Sequence, residues 1–226
     1  LNKEGLVAAI QAYGYSGVFI IGSQRCHYSF GKTLRALGLG DDAFISFEMD
    51  QHDPEKSSEA LTKLITDKQS AGGLIVAIIG VAGSTESGNV DPLNTLASIA
   101  SRFNIHFHVD AAFGGGYLFS EKLAHKLDGI QLGDSVTICG HKQLYLPLGL
   151  SVCLFKDESL ARHRENTSKY QARKDSLDLG RYTIDGSRPF LSFVLHGALN
   201  IIGKEGYAEI IESNYERAQL FKKLIR

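Results

Sequence analysis

Two continuous apolar runs bounded by glycine are the strongest constraint on how this chain can fold. They occupy residues 17–22 (GVFIIG) and 73–81 (GLIVAIIGV). Unbroken apolar runs are typical of strands buried on both faces of a parallel sheet, whereas half-exposed antiparallel strands alternate apolar and polar residues. Shorter strand-like segments follow at residues 105–110, 135–139 and 150–155. The pattern therefore predicts a mainly parallel sheet.

Amphipathic helical patterns lie between these strands. The apolar positions within residues 61–65 share one helical face. A second helix over residues 93–103 follows Asp91 and Pro92, where we expect the aspartate to cap the helix and the proline to occupy its first turn. Alternating strands and helices imply right-handed crossovers and helices on both faces of the sheet. The predicted fold class is α/β with α-β-α layers.

The C-terminal third of the chain has a different pattern. It is charged and poor in strand signals up to residue 188, and two helical stretches follow. The second stretch carries a broad apolar stripe over residues 210–225, which must be buried against another surface. We therefore expect residues 1–190 to form a large domain and residues 191–226 to form a helical segment.

Charge and composition exclude several classes of protein. The 226 residues include 24 Lys and Arg against 25 Asp and Glu, so the basic excess of a nucleic-acid binder is missing. With 43% hydrophobic residues the chain can build its own core. Its longest nearly apolar run, residues 73–83, falls short of the roughly 20 residues of a membrane helix. Three widely separated cysteines form no CxxC pair, which favours a reducing compartment, the cytoplasm.

Four polar clusters follow four separate strands. In open α/β sheets, ligands bind beyond the carboxyl ends of the strands, so we expect these clusters to lie at one edge of the sheet. The clusters are residues 24–29 (QRCHYS), 83–88 (GSTESG), 108–116 (HVDAAFGGG) and 139–143 (CGHKQ).

Three residues in these clusters have side chains suited to chemistry. Asp110 precedes small residues and three glycines, which let a flat ligand approach the backbone closely. Lys142 lies in a small-residue turn, where partial burial favours the neutral amine that forms a Schiff base. His27 can stack on a ring or transfer a proton. Each residue alone is more often structural, as a turn cap, a solvated charge or a buried ring, but their common position favours one binding site.

Together these motifs resemble the pyridoxal-phosphate-dependent group II amino-acid decarboxylases, which have the aspartate-aminotransferase fold (fold type I). The resemblance runs from about Gly17 to the C-terminus, and its most specific part is the pair HVDAA and HK. The motifs, in the order of the family, are CHYS at 26–29, GSTESGNVDP at 83–92, HVDAAFGGG at 108–116, GDSVTICGHK at 133–142 and GSRP at 186–189.

The resemblance implies pyridoxal 5'-phosphate as cofactor and a role for each matching residue. Lys142 corresponds to the lysine that forms the internal aldimine, and decarboxylation then passes through a quinonoid intermediate. Asp110 corresponds to the carboxylate paired with the pyridinium nitrogen, which keeps the ring able to accept electrons. His27 corresponds to the imidazole stacked on the ring and is a candidate proton donor. Ala112 is expected to pack on the opposite ring face, where a larger side chain would not fit.

Four further residues match the motifs of the family. His141 resembles the histidine near the cofactor phosphate, and Thr85 resembles the hydroxyl near the substrate. Ser187 and Arg188 match the GSRP-like motif. Arg188 can bind a side-chain carboxylate through its guanidinium fork, so we expect an acidic L-amino acid, glutamate or aspartate, as substrate.

Three alternatives remain open at the level of the sequence. The first is another fold-type-I enzyme, a cysteine desulfurase or an aminotransferase, because GHKQLYLPLG superficially resembles the lysine turn of a desulfurase. The second is a metal site of His106, His108 and Asp110, which alternate along one strand. The third is an inactive binding or scaffold domain of the same fold.

The resemblance also sets expectations about the whole protein. Members of the family are longer, so we expect a phosphate-binding segment before Leu1 and a small domain after Arg226. We expect residues 1–226 alone to bind the cofactor weakly and to have little or no activity. Members of the family are dimers, so we expect a homodimer that binds an amino acid, without nucleic-acid or membrane partners.

Overall fold

The computed structural model describes residues 3–49, 53–167 and 177–225. The strands are β1 (Gly17–Ser23), β2 (Phe44–Phe47), β3 (Gly73–Val81), β4 (His106–Asp110), β5 (Ser135–Cys139) and β6 (Ser151–Phe155). The α-helices are α1 (Gly5–Tyr13), α2 (Ser29–Ala36), α3 (Pro54–Ser70), α4 (Leu93–Arg102), α5 (Ser159–Arg162), α6 (Leu191–Ile201) and α7 (Gly203–Leu224). Short 3-10 helices occur at Asp41–Ala43, Gly114–Phe119, Ala124–Leu127, Ile130–Leu132 and Leu179–Tyr182.

The six strands form one sheet in the order β2-β1-β3-β4-β5-β6. Strands β1 to β5 pair in parallel, and β6 runs antiparallel to β5. After β1 the chain goes to β2 on one side and then returns to β3 on the other side of β1. The loops after β1 and β3 therefore diverge in opposite directions, which creates the switch-point crevice where such sheets bind ligands.

Helices α3 and α4 pack on one face of this sheet. Their apolar side chains Leu61, Ile65, Leu93 and Leu96 join a buried core with residues of the central strands, including Phe107. Because side chains alternate along a strand, His106, His108 and Asp110 project from the opposite face of β4. There the ring of Phe30, from α2, meets His108 edge-on with ring centroids 6.2 Å apart. Helical residues therefore contact both faces of β4.

Helix α7 packs against the body of the protein through a second, smaller core. Tyr207 and Ile211 are buried in this core together with Leu123 and Leu144. Part of the apolar stripe expected on this helix is thus buried against residues of the predicted large domain. The boundary between residues 1–190 and 191–226 stays a prediction.

The α/β fold with a mainly parallel sheet is confirmed, with three differences in detail. Strand β2 has only four residues, and the sequence pattern does not distinguish it from a loop. Ile105 and Leu150, predicted as the first residues of two strands, precede β4 and β6. The expected helix cap at Asp91 is wrong: α4 begins after Pro92 without a side-chain cap, and the Asp91 carboxylate instead accepts a hydrogen bond from Val81 N–H at 2.9 Å.

Within the three described ranges, no helix combines the length and the apolar character needed to cross a bilayer.

Candidate active site

A cavity of about 540 Å³ lies at the carboxyl ends of the central strands. Its lining brings together residues that are far apart in the sequence and that the sequence analysis selected: His27, Thr85, Asp110, Ala112, His141 and Lys142. Two other selected residues, Ser187 and Arg188, do not line this cavity; both are exposed in the segment before α6. Further lining residues come from α2 and the strand ends, among them Phe30, Thr33, Thr137 and Cys139.

Backbone hydrogen bonds continue between neighbouring segments beyond the ends of the strands. Ala82 N–H donates to Asp110 O at 2.8 Å, and Gly114 N–H donates to Ala82 O at 3.0 Å. On the other side, Cys139 N–H donates to Ala112 O at 3.2 Å. The segments that follow β3 and β4 are therefore joined to each other, and the segment after β4 is also joined to the last residue of β5, so the side chains at these strand ends are held in fixed relative positions.

The glycines of the HVDAAFGGG motif permit this close approach of two backbones. A Cβ atom on Gly114 would lie 2.3 Å from Ala82 O. Gly83 has φ +100°, and a Cβ atom there would lie 2.7 Å from Gly114 N. Both positions therefore require glycine, for different physical reasons: steric contact at Gly114, and steric contact together with a left-handed backbone at Gly83.

The Asp110 carboxylate is oriented by its own turn. Its Oδ1 atom accepts a hydrogen bond from Ala112 N–H at 3.1 Å. The side chain is half-buried at the end of β4 and lines the cavity. Among the described residues, none forms a hydrogen bond with Oδ2, so this atom can accept from a protonated ligand in the cavity.

The histidines that share a face with Asp110 are linked by one serine. Ser135 Oγ lies 2.7 Å from His106 Nε2 and 2.8 Å from His108 Nδ1, and Thr137 Oγ1 lies 3.4 Å from His108 Nε2. Burial lowers the pKa of His108, although the negative charge of Asp110 opposes this shift. Burial therefore favours the neutral form of His108, and the serine hydroxyl contacts one nitrogen of each ring.

A metal site of His106, His108 and Asp110 gains no support from this arrangement. In the part of the chain that the structure describes, no group of three or more His, Cys, Asp or Glu side chains is placed to hold a metal ion.

The hydrogen bonds of His27 define which ring nitrogen carries the proton. Ser29 N–H lies 3.3 Å from His27 Nδ1, and Ser29 Oγ lies 2.9 Å from the same atom. A backbone N–H can only donate, so Nδ1 accepts and the proton of the neutral ring is on Nε2. The ring also packs against Tyr28, with centroids 4.1 Å apart. His27 therefore offers a donor at Nε2.

Lys142 and His141 lie in the turn between β5 and β6. Tyr145 N–H donates to Lys142 O at 3.2 Å, which closes the turn around the lysine. Lys142 is half-buried, and within the described residues its amine has no carboxylate at ion-pair distance. His141 Nδ1 lies 3.3 Å from Leu150 O, a carbonyl that can only accept, so Nδ1 carries a proton.

Thr85 lies in the turn that follows β3. Gly88 N–H donates to Ser84 O at 2.9 Å, and Ser84 Oγ lies 2.9 Å from Ser87 Oγ. The neighbouring hydroxyls are therefore engaged with each other, whereas Thr85 is exposed and lines the cavity.

An ion pair beside the cavity is the main feature that the sequence analysis missed. Arg25 Nη1 lies 3.2 Å from Asp91 Oδ1, and the Asp91 side chain is fully buried. Burial raises the pKa of Asp91, while hydrogen bonds from Val81 N–H and Ser23 and the charge of Arg25 lower it. The pair connects the loop after β1 to the segment before α4, and the Asp91 carboxylate is also bonded to the end of β3 through Val81 N–H. Its two partners are 66 residues apart, so no local spacing signals the contact.

The cysteines do not resemble the nucleophile of a desulfurase. Burial and the charges of Asp91 and Asp110 raise the pKa of Cys26 to about 12. Cys139 and Cys153 belong to β5 and β6 rather than to a loop. A reactive thiolate on a mobile segment, which the alternative requires, is therefore not provided by these three residues.

Comparison with known proteins identifies the family. The model of the pyridoxal-dependent decarboxylase conserved domain matches residues 15–226. The chain belongs to this family.

Decarboxylases are also among the similar proteins of known name. Aspartate 1-decarboxylase of Aliivibrio fischeri is 42% identical over 226 residues, which are 100% of this chain and 41% of that protein. Glutamate decarboxylase of Drosophila melanogaster is 32% identical over 211 residues, 90% of this chain and 41% of that protein. The crystal structure of mouse CSAD matches with a TM-score of 0.85 and 30% identity, over 99% of this chain and 46% of that one. This decarboxylase-family chain therefore spans less than half the length of these relatives.

The cavity of this decarboxylase-family chain suits the cofactor that the family description names. Its volume of about 540 Å³ is in the range of small-molecule sites. Asp110 offers a half-buried carboxylate for a protonated ring nitrogen, and Lys142 offers an amine for an aldehyde carbon. His27 and Ala112, a flat ring and a small side chain, both line the same space. The side chains present are therefore chemically matched to pyridoxal phosphate.

The close approach at Gly114 leads to a first prediction. Gly114→Ala should destabilise the protein by about 1–3 kcal/mol, because its Cβ must displace the Ala82 carbonyl. Gly31→Ala is the matched control: Gly31 lies within α2 with nothing within 4 Å of the added Cβ, so it should be neutral or stabilising by up to about 1 kcal/mol. Urea denaturation of both variants measures the difference. Equal stability of the two would show that the backbones can separate at no cost.

Proposed function

We propose that this chain forms the cofactor-binding part of a pyridoxal-phosphate-dependent decarboxylase that acts on an acidic L-amino acid. The observation that carries the proposal is the convergence of Asp110, Lys142 and His27 on one cavity from three different strand ends. A carboxylate, an amine and an imidazole are the three groups needed to hold a pyridine ring, bind its aldehyde carbon and supply a proton.

The roles of the cofactor and of the cavity residues follow from the chemistry of decarboxylation. When bound, pyridoxal phosphate supplies a conjugated ring that accepts the electron pair released as the bond between Cα and the carboxylate breaks. Asp110 would hold the proton on the ring nitrogen through Oδ2, while Ala112 N–H keeps Oδ1 in place. His27 and Ala112, which line the same cavity, would restrict the position of the ring.

Lys142 provides the amine for covalent attachment of the cofactor, and its location suits that role. The neutral form of a half-buried amine is nucleophilic, and no carboxylate among the described residues holds Lys142 as an ion pair. After CO2 leaves, Cα requires a proton. We propose that His27 supplies this proton through Nε2, because Ser29 occupies Nδ1.

The remaining residues are assigned to binding. His141, whose Nδ1–H donates to Leu150 O, presents its other nitrogen to an anionic group such as a phosphate when the ring is protonated. Thr85 offers an exposed hydroxyl at the cavity to the substrate. Ser187 and Arg188 lie outside the cavity lining, and we propose that they bind substrate in the complete enzyme.

An acidic substrate is supported by the relatives. Two of the similar proteins are named as aspartate and glutamate decarboxylases. Of the two cationic side chains that line the cavity, Arg25 is already paired with Asp91, and Lys142 is assigned to the cofactor. The proposed partner of a side-chain carboxylate is therefore Arg188.

The central prediction concerns Lys142 in the protein at its full natural length. Lys142→Ala should abolish covalent cofactor binding and lower kcat by roughly 10³-fold or more, because the attacking amine is lost. Lys156→Ala removes an exposed lysine after β6 and should leave both properties unchanged. Absorption of the bound cofactor and release of CO2 from aspartate and glutamate are the measurements. Alanine or sulfide formed from cysteine, without CO2 release, would instead identify a desulfurase.

A separate prediction concerns substrate choice. Arg188→Met should reduce kcat/KM for aspartate and glutamate by about tenfold to a hundredfold and should affect amino acids without a side-chain carboxylate much less. Arg188→Lys keeps the charge but loses the guanidinium fork, so its effect should be intermediate. The measurement is a substrate panel with all three proteins. Unchanged kcat/KM for the acidic substrates in Arg188→Met would remove Arg188 from substrate recognition.

We further propose a cytoplasmic homodimer. Large apolar side chains remain exposed near α6, including Leu148 at 82%, Phe190 at 74% and Ile201 at 86%. Exposed apolar clusters of this kind mark surfaces that another chain or segment covers. All three cysteines are free thiols, as expected in a reducing compartment. Light scattering of the full-length protein should give the mass of two chains, and the mass of one chain at micromolar concentration would contradict the proposal.

A further inference from the structure

The turn that carries Lys142 contains a residue in an unfavourable backbone conformation. Tyr145 has φ +56°. Among the described residues other than glycine, only Asn104 shares a positive φ, and asparagine tolerates the left-handed region far better than tyrosine does. A residue with a Cβ and a bulky ring stays in this region only when surrounding contacts hold it there.

Two side chains of α7 provide such contacts. Tyr207 Oη donates to Leu144 O at 3.2 Å, in a buried environment. Asn214 Nδ2 donates to Tyr145 Oη at 2.5 Å. The donors are seven residues apart, two turns of the helix, and so share one face of α7. One helix face therefore holds two consecutive residues of the lysine turn.

The helix itself is anchored independently of these two contacts. Glu212 accepts hydrogen bonds from Ser120 Oγ and Lys122 Nζ, both at 2.6 Å. Ile211 is 2% exposed and reaches the Gly114–Phe119 segment, where its Cδ1 atom would be 3.1 Å from a Cβ on Gly116. The same helix thus contacts the segment after Asp110 and the turn after Lys142.

We propose that α7 is a brace for the lysine turn, and that Tyr207 and Asn214 are positioning residues for Lys142. Tyr207 acts through the Leu144 carbonyl and Asn214 acts through the Tyr145 hydroxyl; neither lines the cavity. The inference rests on the proposed role of Lys142. The brace keeps the amine at a fixed place relative to Asp110, because both residues are tied to one rigid helix.

The test uses the full-length protein and removes single polar groups. Tyr207→Phe deletes one hydroxyl and keeps the buried ring, and Asn214→Ala deletes the second donor. Tyr215→Phe is the matched control, the same chemical change on the same helix, at a ring that packs against Tyr117 instead. Asn214→Ala also covers the case in which Tyr207→Phe fails to fold, since Asn214 is not buried.

Three measurements separate a brace from a general structural role. Tyr207→Phe and Asn214→Ala should each slow the capture of pyridoxal phosphate by the apoprotein about threefold to tenfold, the effect of one lost hydrogen bond on a rate. They should lower kcat more than they change KM. In the apoprotein, amide hydrogen exchange should rise at residues 143–146 while the melting temperature stays within a few degrees of the wild-type value.

A fourth measurement tests whether a second substitution restores the rate of cofactor capture. Tyr145→Asn relieves the unfavourable φ but also removes the hydroxyl that Asn214 contacts, so in the Tyr207→Phe background it should restore part of the capture rate. Wild-type capture and wild-type exchange in both single variants would overturn the brace. A general loss of stability that Tyr215→Phe reproduces would overturn it as well. Covalent cofactor binding that persists in Lys142→Ala would instead refute the proposed function, so the two failures are distinguishable.

Discussion

The hydrogen bonds that continue past the strand ends are the interaction on which the candidate site depends. Backbone hydrogen bonds from Ala82 to Asp110 and from Gly114 to Ala82 join the ends of β3 and β4. A further bond, from Cys139 to Ala112, joins the end of β5 to the segment after β4. A parallel sheet brings strand ends to one edge but does not order the loops that follow. Here backbone hydrogen bonds order these loops, because glycine at position 114 lets the segment after β4 approach the segment after β3 closely. Side chains from distant parts of the sequence thereby acquire fixed relative positions.

The electrostatics of the site follow from which polar groups already have partners. Arg25 is paired with the buried Asp91, and His106 and His108 share the hydroxyl of Ser135. Burial lowers the pKa of His108 and so favours its neutral form. Because these groups already have partners, they do not compete with Asp110 and Lys142 for a ligand in the cavity. Asp110 keeps one oxygen for a ligand, and the Lys142 amine is not held by a carboxylate within the described ranges.

Much of the fold could be predicted from the sequence, because buried parallel strands have a local signature. The runs at 17–22 and 73–81 became β1 and β3 with one residue of difference at most. Strand β2 escaped prediction because its four residues are too few to show a period and depend on pairing with β1. The antiparallel direction of β6 escaped it as well, since direction is a property of pairing with β5 and not of the residues of β6 alone.

The candidate site was predictable where its residues lie next to strands, and not where they act over long distances. His27, Asp110 and Lys142 follow strands, so the sheet edge collects them. The role of Asp91 was not predictable, because an aspartate before a proline is locally a helix cap, whereas its partners are Arg25, which follows β1, and Val81 of β3. The brace on α7 has no local signal either: Tyr207 lies outside the apolar stripe at residues 210–225, and only the fold brings its hydroxyl to Leu144.

The charge balance of the cavity bears on how an acidic substrate is recognised. Arg25 is neutralised by Asp91, and the positive charge of Lys142 is lost when its amine becomes a nucleophile. Asp110 then leaves the described lining with an uncompensated negative charge, which repels a second carboxylate unless a protonated ring nitrogen offsets it. Discrimination in favour of aspartate or glutamate therefore requires a cation that is not already paired. Arg188 has the right chemistry but lies outside the cavity lining, so selectivity for acidic side chains depends on bringing a group of this kind to the site.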